Sequence, residues 1–315
     1  MSEPPLILAE HLSRHFGGLL AVDDISFSLQ KGEVLGFLGP NGAGKSTTMN
    51  MLSGNLAPSD GEIQISGHDL LESPREAKAQ IGYLPENPPL YREFTVREYL
   101  RFCARINGIS RAHIESAMDA AIERCGLGEV RERLIGNLSK GLQQRVGIAQ
   151  AVIHLPAVLI LDEPTVGLDP RQIREIRGLI KELGKEHGII LSTHILPEVQ
   201  ASCHRVQIIH RGRLVYRDTI EALDQRLQHA SLILALHRPP HLETLRGFDG
   251  VVDCSALGDG HFRIHYSGNN PAETLAQRAA QENWGLYELF PERASLEEVF
   301  LELTHEEASN QGLAS

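Results

Sequence analysis

Short apolar runs punctuate the chain, and their lengths and flanking residues predict a series of strands. Residues 6–9 and 25–29 read as short strands, the second alternating Ile25, Phe27 and Leu29 inward against Ser26 and Ser28. Residues 33–38 read as a buried strand and 46–52 as the helix after it. Strands are also expected at 61–66 and 81–84, with turn residues Pro58-Ser59-Asp60-Gly61 and Ser73-Pro74 nearby. The texture then changes. Residues 95–107, 111–124 and 129–134 carry helical spacing with no strand between them, which predicts a helical insertion within an α/β domain. Its entry, Pro85-Glu86-Asn87-Pro88-Pro89, is rigid in φ and suits a hinge or docking segment.

Beyond the insertion, Ser139 suits the N-cap of a helix running to about residue 153. Residues 157–161 form a continuous apolar run ending in Asp162-Glu163-Pro164, the pattern of a fully buried parallel strand. Residues 188–193 give another buried strand, and 206–209 with 214–216 a hairpin joined by His210-Arg211-Gly212-Arg213. From residue 223 onward, strands at 231–236, 250–254, 261–266 and 286–290 surround one helix at 271–283.

The 315 residues suffice for two domains, and 42% hydrophobic with 23% charged is an ordinary soluble balance. A net charge of −11 disfavours a nucleic-acid partner, since a duplex binder needs a basic stripe to displace counterions. Cys103, Cys125, Cys203 and Cys254 are scattered, as unlinked thiols in a reducing cytosol would be. His261 and His265 share a strand face but lack a third ligand, so no metal site is expected there. Residues 1–8 carry Glu3 and two prolines rather than a basic head and apolar core, unlike a secretory signal. No segment approaches the ~20 apolar residues that span a bilayer, so any membrane role is expected through a partner.

The strongest chemical signal is Gly39-Pro40-Asn41-Gly42-Ala43-Gly44-Lys45-Ser46-Thr47, which matches the Walker A pattern between a predicted strand and a predicted helix. Gly42 and Gly44 let the loop aim backbone N–H groups at phosphate oxygens, and the helix N-terminus adds its dipole. Lys45 suits the β/γ-phosphates and the Ser46 hydroxyl suits Mg²⁺. Asp162 at a strand's C-terminal edge is costly to bury without a cation, which makes it a second Mg²⁺ candidate. Glu163 then suits a water-activating base. His194 either plays a structural part at its strand end or contacts a γ-phosphate. Phe16, beside Gly17-Gly18, either packs in a core or stacks on a purine face.

Six landmarks in this order resemble the ATP-binding cassette (ABC) transporter ATPase family: Phe16, the loop 39–47, Glu86, residues 138–144, residues 159–164 and His194. They cover about residues 6 to 217, and Ser139-x-Gly141 with Asp162 following 21 positions later (162 minus 141) is absent from generic P-loop kinases and GTPases. The resemblance implies an α/β P-loop cassette over residues 6–222, with a helical subdomain at about 88–153. It also implies a small C-terminal α+β accessory domain at 223–304, closing on a helix at 294–303, and a flexible tail at 305–315.

Position by position, the resemblance makes Phe16 the adenine-stacking aromatic, Glu163 the general base, His194 the switch histidine and Gly167-Leu168-Asp169 the loop crossing a dimer seam. Ser139 and Gly141 become the signature that contacts the ATP of an opposing subunit. One chain offers one Walker A loop and one signature, so two copies are expected to meet head to tail around two ATP molecules. Two positions depart from the family pattern. Glu86 stands where a glutamine is usual, able to ligate Mg²⁺ but not to donate a hydrogen bond, and Leu142 replaces the usual signature glutamine.

Residues 81–87 and 138–141 look most like the exporter cassettes of the gliding-motility-associated type. The expectation is an ATPase subunit that drives a separate integral membrane permease, with residues 86–102 contacting it. It would sit at the cytoplasmic face of the inner (plasma) membrane, peripheral through that partner. The rival is a soluble ABC-type ATPase acting on a ribosome or nucleic-acid complex. Such proteins usually carry two cassettes or long coiled-coil insertions, and this chain has neither. Intact Lys45, Asp162, Glu163 and His194 argue against a non-catalytic regulatory cassette.

Overall fold

The computed structural model describes residues 4–227 and 230–292, and the chain divides into two compact units, residues 1–220 and 221–315. The expected terminal helix at 294–303 and tail at 305–315 lie outside the described residues.

The first unit opens on a long hairpin of β1 (Ile7–Phe16) and β2 (Leu19–Leu29). Both strands outrun the expected 6–9 and 25–29, because register shifts between Ala9 and His15 break the strict alternation by which strands are read. After β3 (Val34–Leu38) and α1 (Lys45–Leu52), β4 (Asp60–Ile65) and β5 (His68–Asp69) complete an antiparallel sheet of order β2-β1-β4-β5. α2 (Pro74–Ala79), with Pro74 in its first turn, stands where the sequence suggests only a turn. β6 (Ile81–Leu84) follows.

The helical insertion contains α3 (Val96–Ile106) and α4 (Ile114–Arg124). A capping box starts α3: the Thr95 hydroxyl accepts from Glu98 N at 3.2 Å, and the Glu98 carboxylate accepts from Thr95 N at 2.9 Å. The expected helix at 129–134 is not formed; the segment holds the 3₁₀ turn Gly128–Val130, then turns, and ends on an isolated antiparallel bridge from Leu134 to Thr95. Its carbonyls are engaged elsewhere. Val96 N donates to Arg133 O at 3.2 Å and Arg97 N to Arg131 O at 2.9 Å, so this stretch satisfies the orphan donors of α3 rather than its own helix.

α5 (Lys140–Val152) is capped by Ser139, whose hydroxyl accepts from Leu142 N at 3.4 Å. Then come β7 (Val158–Asp162), α6 (Pro170–Leu183), β8 (Gly188–Thr193), α7 (Leu196–Ser202), β9 (Arg205–His210), β10 (Arg213–Thr219) and α8 (Ile220–Leu227). The second sheet has the order β10-β9-β3-β8-β7-β6, parallel except at β10. Side-chain alternation divides its central strands between two cores. Leu159, Leu161, Ile189 and Leu191 join the core of the helical insertion, whereas Val158, Ile160, Ile190, Leu35 and Phe37 join the one beneath the antiparallel sheet. Strands buried on both faces are what the unbroken apolar runs require.

The second unit is an antiparallel sheet of β11 (Ala230–Leu236), β12 (Val251–Gly258), β13 (His261–Tyr266) and β14 (Leu286–Pro291), in the order β12-β13-β11-β14. Among the described residues its helices are α8, which falls in this unit from Glu221 onward, α9 (Leu242–Arg246) and α10 (Ala272–Gln281), and of these only α10 is expected from the sequence. Leu232, Leu234, Phe262 and Ile264 from the sheet pack with Leu245, Leu275 and Trp284 into one core. Cys103, Cys125, Cys203 and Cys254 are all free. Burial pushes the Cys103 thiol up to about 11 and Cys125 to about 12, which makes both poor nucleophiles.

Candidate nucleotide site

Strands β3, β8 and β7 are neighbours in the parallel sheet, so the loops leaving their carboxyl ends emerge side by side. Leu38 pairs with Thr193 and Asp162 with Ser192, which aligns the start of the phosphate loop, His194 and the Asp162-Glu163 pair along one edge.

The loop from Gly39 to Lys45 is closed locally. Gly39 N donates to Thr193 O at 3.3 Å and Ala43 N to Pro40 O at 3.2 Å. Gly42 and Gly44 adopt φ of +79° and +110°, and a Cβ on Gly44 would stand 2.7 Å from Ala21 O, so this backbone path excludes a side chain there. Asn41, Gly42 and Ser46 are exposed at the loop's mouth, Pro40 and Thr47 are half-buried, and Ala43 is buried.

Lys45 is 5% exposed, and its Nζ donates to Gly39 O at 2.8 Å and to Pro40 O at 3.3 Å. It also lies 3.4 Å from Glu163 Oε1. Glu163, itself 6% exposed, takes the left-handed conformation at φ 49° while its N–H donates to Ser192 O at 2.9 Å. A left-handed non-glycine residue costs about 1–3 kcal/mol and persists only where surrounding contacts enforce it. Here the twist delivers the carboxylate to both Lys45 and His194, whose Nδ1 stands 2.9 Å from Oε2 and 3.1 Å from Oε1.

Asp162 follows a different electrostatic logic from its neighbour. Burial lifts its pKa above the ordinary aspartate value, Glu163 adds to the rise, and Ser192, Ser46 and Lys45 oppose it. Its Oδ1 is buried without a hydrogen-bond partner among the described residues. A buried carboxylate oxygen left unpaired, with the Ser46 hydroxyl beside it, has the oxygen chemistry that suits a hard divalent cation.

Other expected residues stand outside this contact set. Glu86 is exposed in the turn after β6, and among the described residues no hydrogen bond or ion pair joins it to Lys45, Asp162 or Glu163. Phe16 ends β1 with 46% of its surface exposed, which removes the core alternative, and the Arg14 guanidinium lies 4.8 Å over its ring. Ser139 is exposed at the N-terminus of α5 and Gly141 is buried in its first turn. Asp169 caps α6, its carboxylate accepting from Arg171 N and Gln172 N, each at 2.9 Å.

Thr165, Thr193 and Glu198 belong to none of the motifs read from the sequence, yet all three are buried beside the cluster. The only clue lay in an acid four positions after His194 within an otherwise apolar helix start, Ile195-Leu196-Pro197.

The profile described as "ABC transporter" matches residues 22–166. The chain is 40% identical over 223 residues to the bacitracin transport ATP-binding protein BcrA of Bacillus licheniformis, covering 70% of this chain and 72% of that protein. It is 32% identical over 315 residues to the linearmycin resistance ATP-binding protein LnrL of Bacillus subtilis, covering 95% and 98%. The structure of CbiO1 from Clostridium perfringens, part of the ABC transporter complex CbiONQ, is 31% identical with a TM-score of 0.65, over 71% of this chain and 92% of that one. Proteins of this kind hydrolyse ATP to power transport and work with membrane permeases, and no helix among the described residues is long and apolar enough to cross a membrane. With a phosphate loop, an acidic strand end and a histidine gathered on one sheet edge and relatives aligned over most of its length, the chain belongs to the ATP-binding subunits of ABC transporters.

Proposed function

We propose that two copies of this chain clasp two ATP molecules head to tail and that their hydrolysis drives export through a separate permease, from the cytoplasmic face of the membrane. The observation that carries this reading is the convergence of Lys45, Glu163 and His194 at the carboxyl edge of β3, β7 and β8. In it, backbone N–H groups of Asn41, Gly42, Gly44 and Lys45 bind the β-phosphate and the Lys45 side chain turns from Glu163 and the loop carbonyls to the β/γ-phosphates. Asp162 and the Ser46 hydroxyl hold Mg²⁺, with exposed Glu86 a further oxygen donor at the mouth. Bound there, Mg²⁺ neutralises charge between the phosphates. Once Lys45 leaves, Glu163 is freed to accept the proton of the attacking water, and His194 keeps its carboxylate aimed.

The exposed Phe16 ring supplies a stacking face for adenine, with Arg14 covering its other side. Exposed Ser139, with the dipole of α5 behind it, faces the γ-phosphate of the ATP held by the second copy, and Asp169 lies at the seam. Permease docking on residues 86–102 is supported by an aromatic cluster in which Tyr91, 45% exposed, packs 5.3 Å from Phe94 and 5.4 Å from Phe102. Relatives named for bacitracin transport and linearmycin resistance favour the export direction.

The test is phosphate release from ATP by the purified chain, alone and with the polytopic membrane protein that co-purifies with it. The proposal predicts Mg²⁺-dependent release. A chain that binds ATP yet releases no phosphate in either state would be a regulatory cassette instead.

A further inference from the structure

The loops that carry Glu163 and His194 meet on a third acid. Glu198 lies in the first turn of α7 and is 1% exposed. The hydroxyl of Thr193 donates to its Oε2 at 2.8 Å and the hydroxyl of Thr165 donates to its Oε1. Both threonines are themselves buried, and Arg177 Nη2 lies 3.9 Å from Glu198 Oε1. Thr165 stands two residues after Glu163 and Thr193 immediately before His194.

We infer that Glu198 is a positioning residue for hydrolysis, fixing the distance between Glu163 and His194 by tying the β7 and β8 exit loops to one buried carboxylate. An ionised carboxylate only accepts, so it dictates which way both hydroxyls point. With its proton committed to Glu198, Thr193 Oγ1 turns a lone pair to the N–H of Ile195, 3.1 Å away. That bond closes a tight loop whose enclosed residue is His194. On the other strand the anchored Thr165 follows the left-handed Glu163, and the backbone of that turn is closed by Val166 N donating to Glu163 O at 3.3 Å. The carboxylate therefore orients both members of the pair without touching either. A buried polar network of this kind is sensitive to a single reversed donor.

This inference rests on the reading of Glu163 as the base, and the experiment separates the two. Glu198→Gln keeps the shape but replaces one acceptor oxygen with a donor amide, so one threonine hydroxyl must reverse or lose its bond. The expected result is a kcat for ATP lowered at least about tenfold, with ATP affinity within about twofold of wild type, the split that marks an effect on the reacting geometry rather than on binding. Thr193→Val should show the same split and Thr193→Ser should restore the rate, and this pair decides the matter if the Glu198 variant does not fold. Wild-type turnover in Glu198→Gln, or equal rates in the valine and serine variants, would overturn the role of Glu198 while Glu163→Gln remains inactive. A parallel loss of ATP affinity and turnover would overturn it too, by making the network a general support of the fold. An active Glu163→Gln would instead remove the underlying reading of the base.

Discussion

The Nδ1 of His194 lies 2.9 Å from the Glu163 carboxylate, across two loops separated by 31 residues of sequence. With Glu163 ionised, Nδ1 carries the ring proton and Nε2 is left as the acceptor. His194→Ala should therefore lower kcat for ATP about 100-fold, the scale of a misplaced acid–base group, while ATP binding changes little. Steady-state kinetics beside equilibrium nucleotide binding measure the two effects separately.

Lys45 holds a buried ion pair with Glu163 and two loop carbonyls in the structure described. In the proposed cycle it exchanges these partners for phosphate oxygens, and a charge-assisted hydrogen bond is worth about 1.5–3 kcal/mol. Lys45→Ala should weaken ATP binding by about 10- to 100-fold. Isothermal titration with ATP and Mg²⁺ checks it.

Gly82 on β6 lies against the α5 backbone: a Cβ there would fall 2.1 Å from Ala151 O and 2.7 Å from Leu159 Cδ2. The Leu159 methyl is a side-chain tip that can shift, but the helix carbonyl cannot give way cheaply. Gly82→Ala should destabilise the first unit by about 3 kcal/mol, the upper end for an overpacked core. The expected signature is a lower urea midpoint with an unchanged slope.

His154 couples stability to pH. Its Nε2 stands 3.1 Å from Ile81 O, and its buried Nδ1 has no partner among the described residues. Burial holds its pKa below the ordinary histidine value, the Ile81 carbonyl opposes that, and His187 adds to the depression. The unfolded chain thus takes up a proton near the ordinary value of about 6.5 while the folded chain does not. Stability is full above that pH and falls as the pH drops through the depressed folded value. His154→Gln removes this contribution, so wild type should lose more stability than the variant between pH 7 and pH 5.5, as paired urea titrations would show.

Particular residues explain what could be read from the sequence. β7 and β8 were legible because both faces are buried, leaving unbroken apolar runs, and the phosphate loop was legible because its chemistry is contiguous. α6 was passed over although Asp169, Pro170 and the spacing of Ile173, Ile176, Ile180 and Leu183 mark a capped amphipathic helix. The stretch 129–134 deceived in the opposite direction, since its carbonyls serve α3. No local pattern could reveal the Glu163–His194 contact or the Glu198 anchor. These depend on β7 lying beside β8 and on the left-handed turn at Glu163, both of which are properties of the assembled sheet.

The most direct test is sedimentation velocity on Glu163→Gln with ATP and Mg²⁺. This variant should retain bound ATP, hydrolyse it about 100-fold or more slowly than wild type, and sediment as a dimer that returns to single chains when ATP is withheld. A variant that stays a single chain at saturating ATP, or turns over at the wild-type rate, would contradict the shared site and its base.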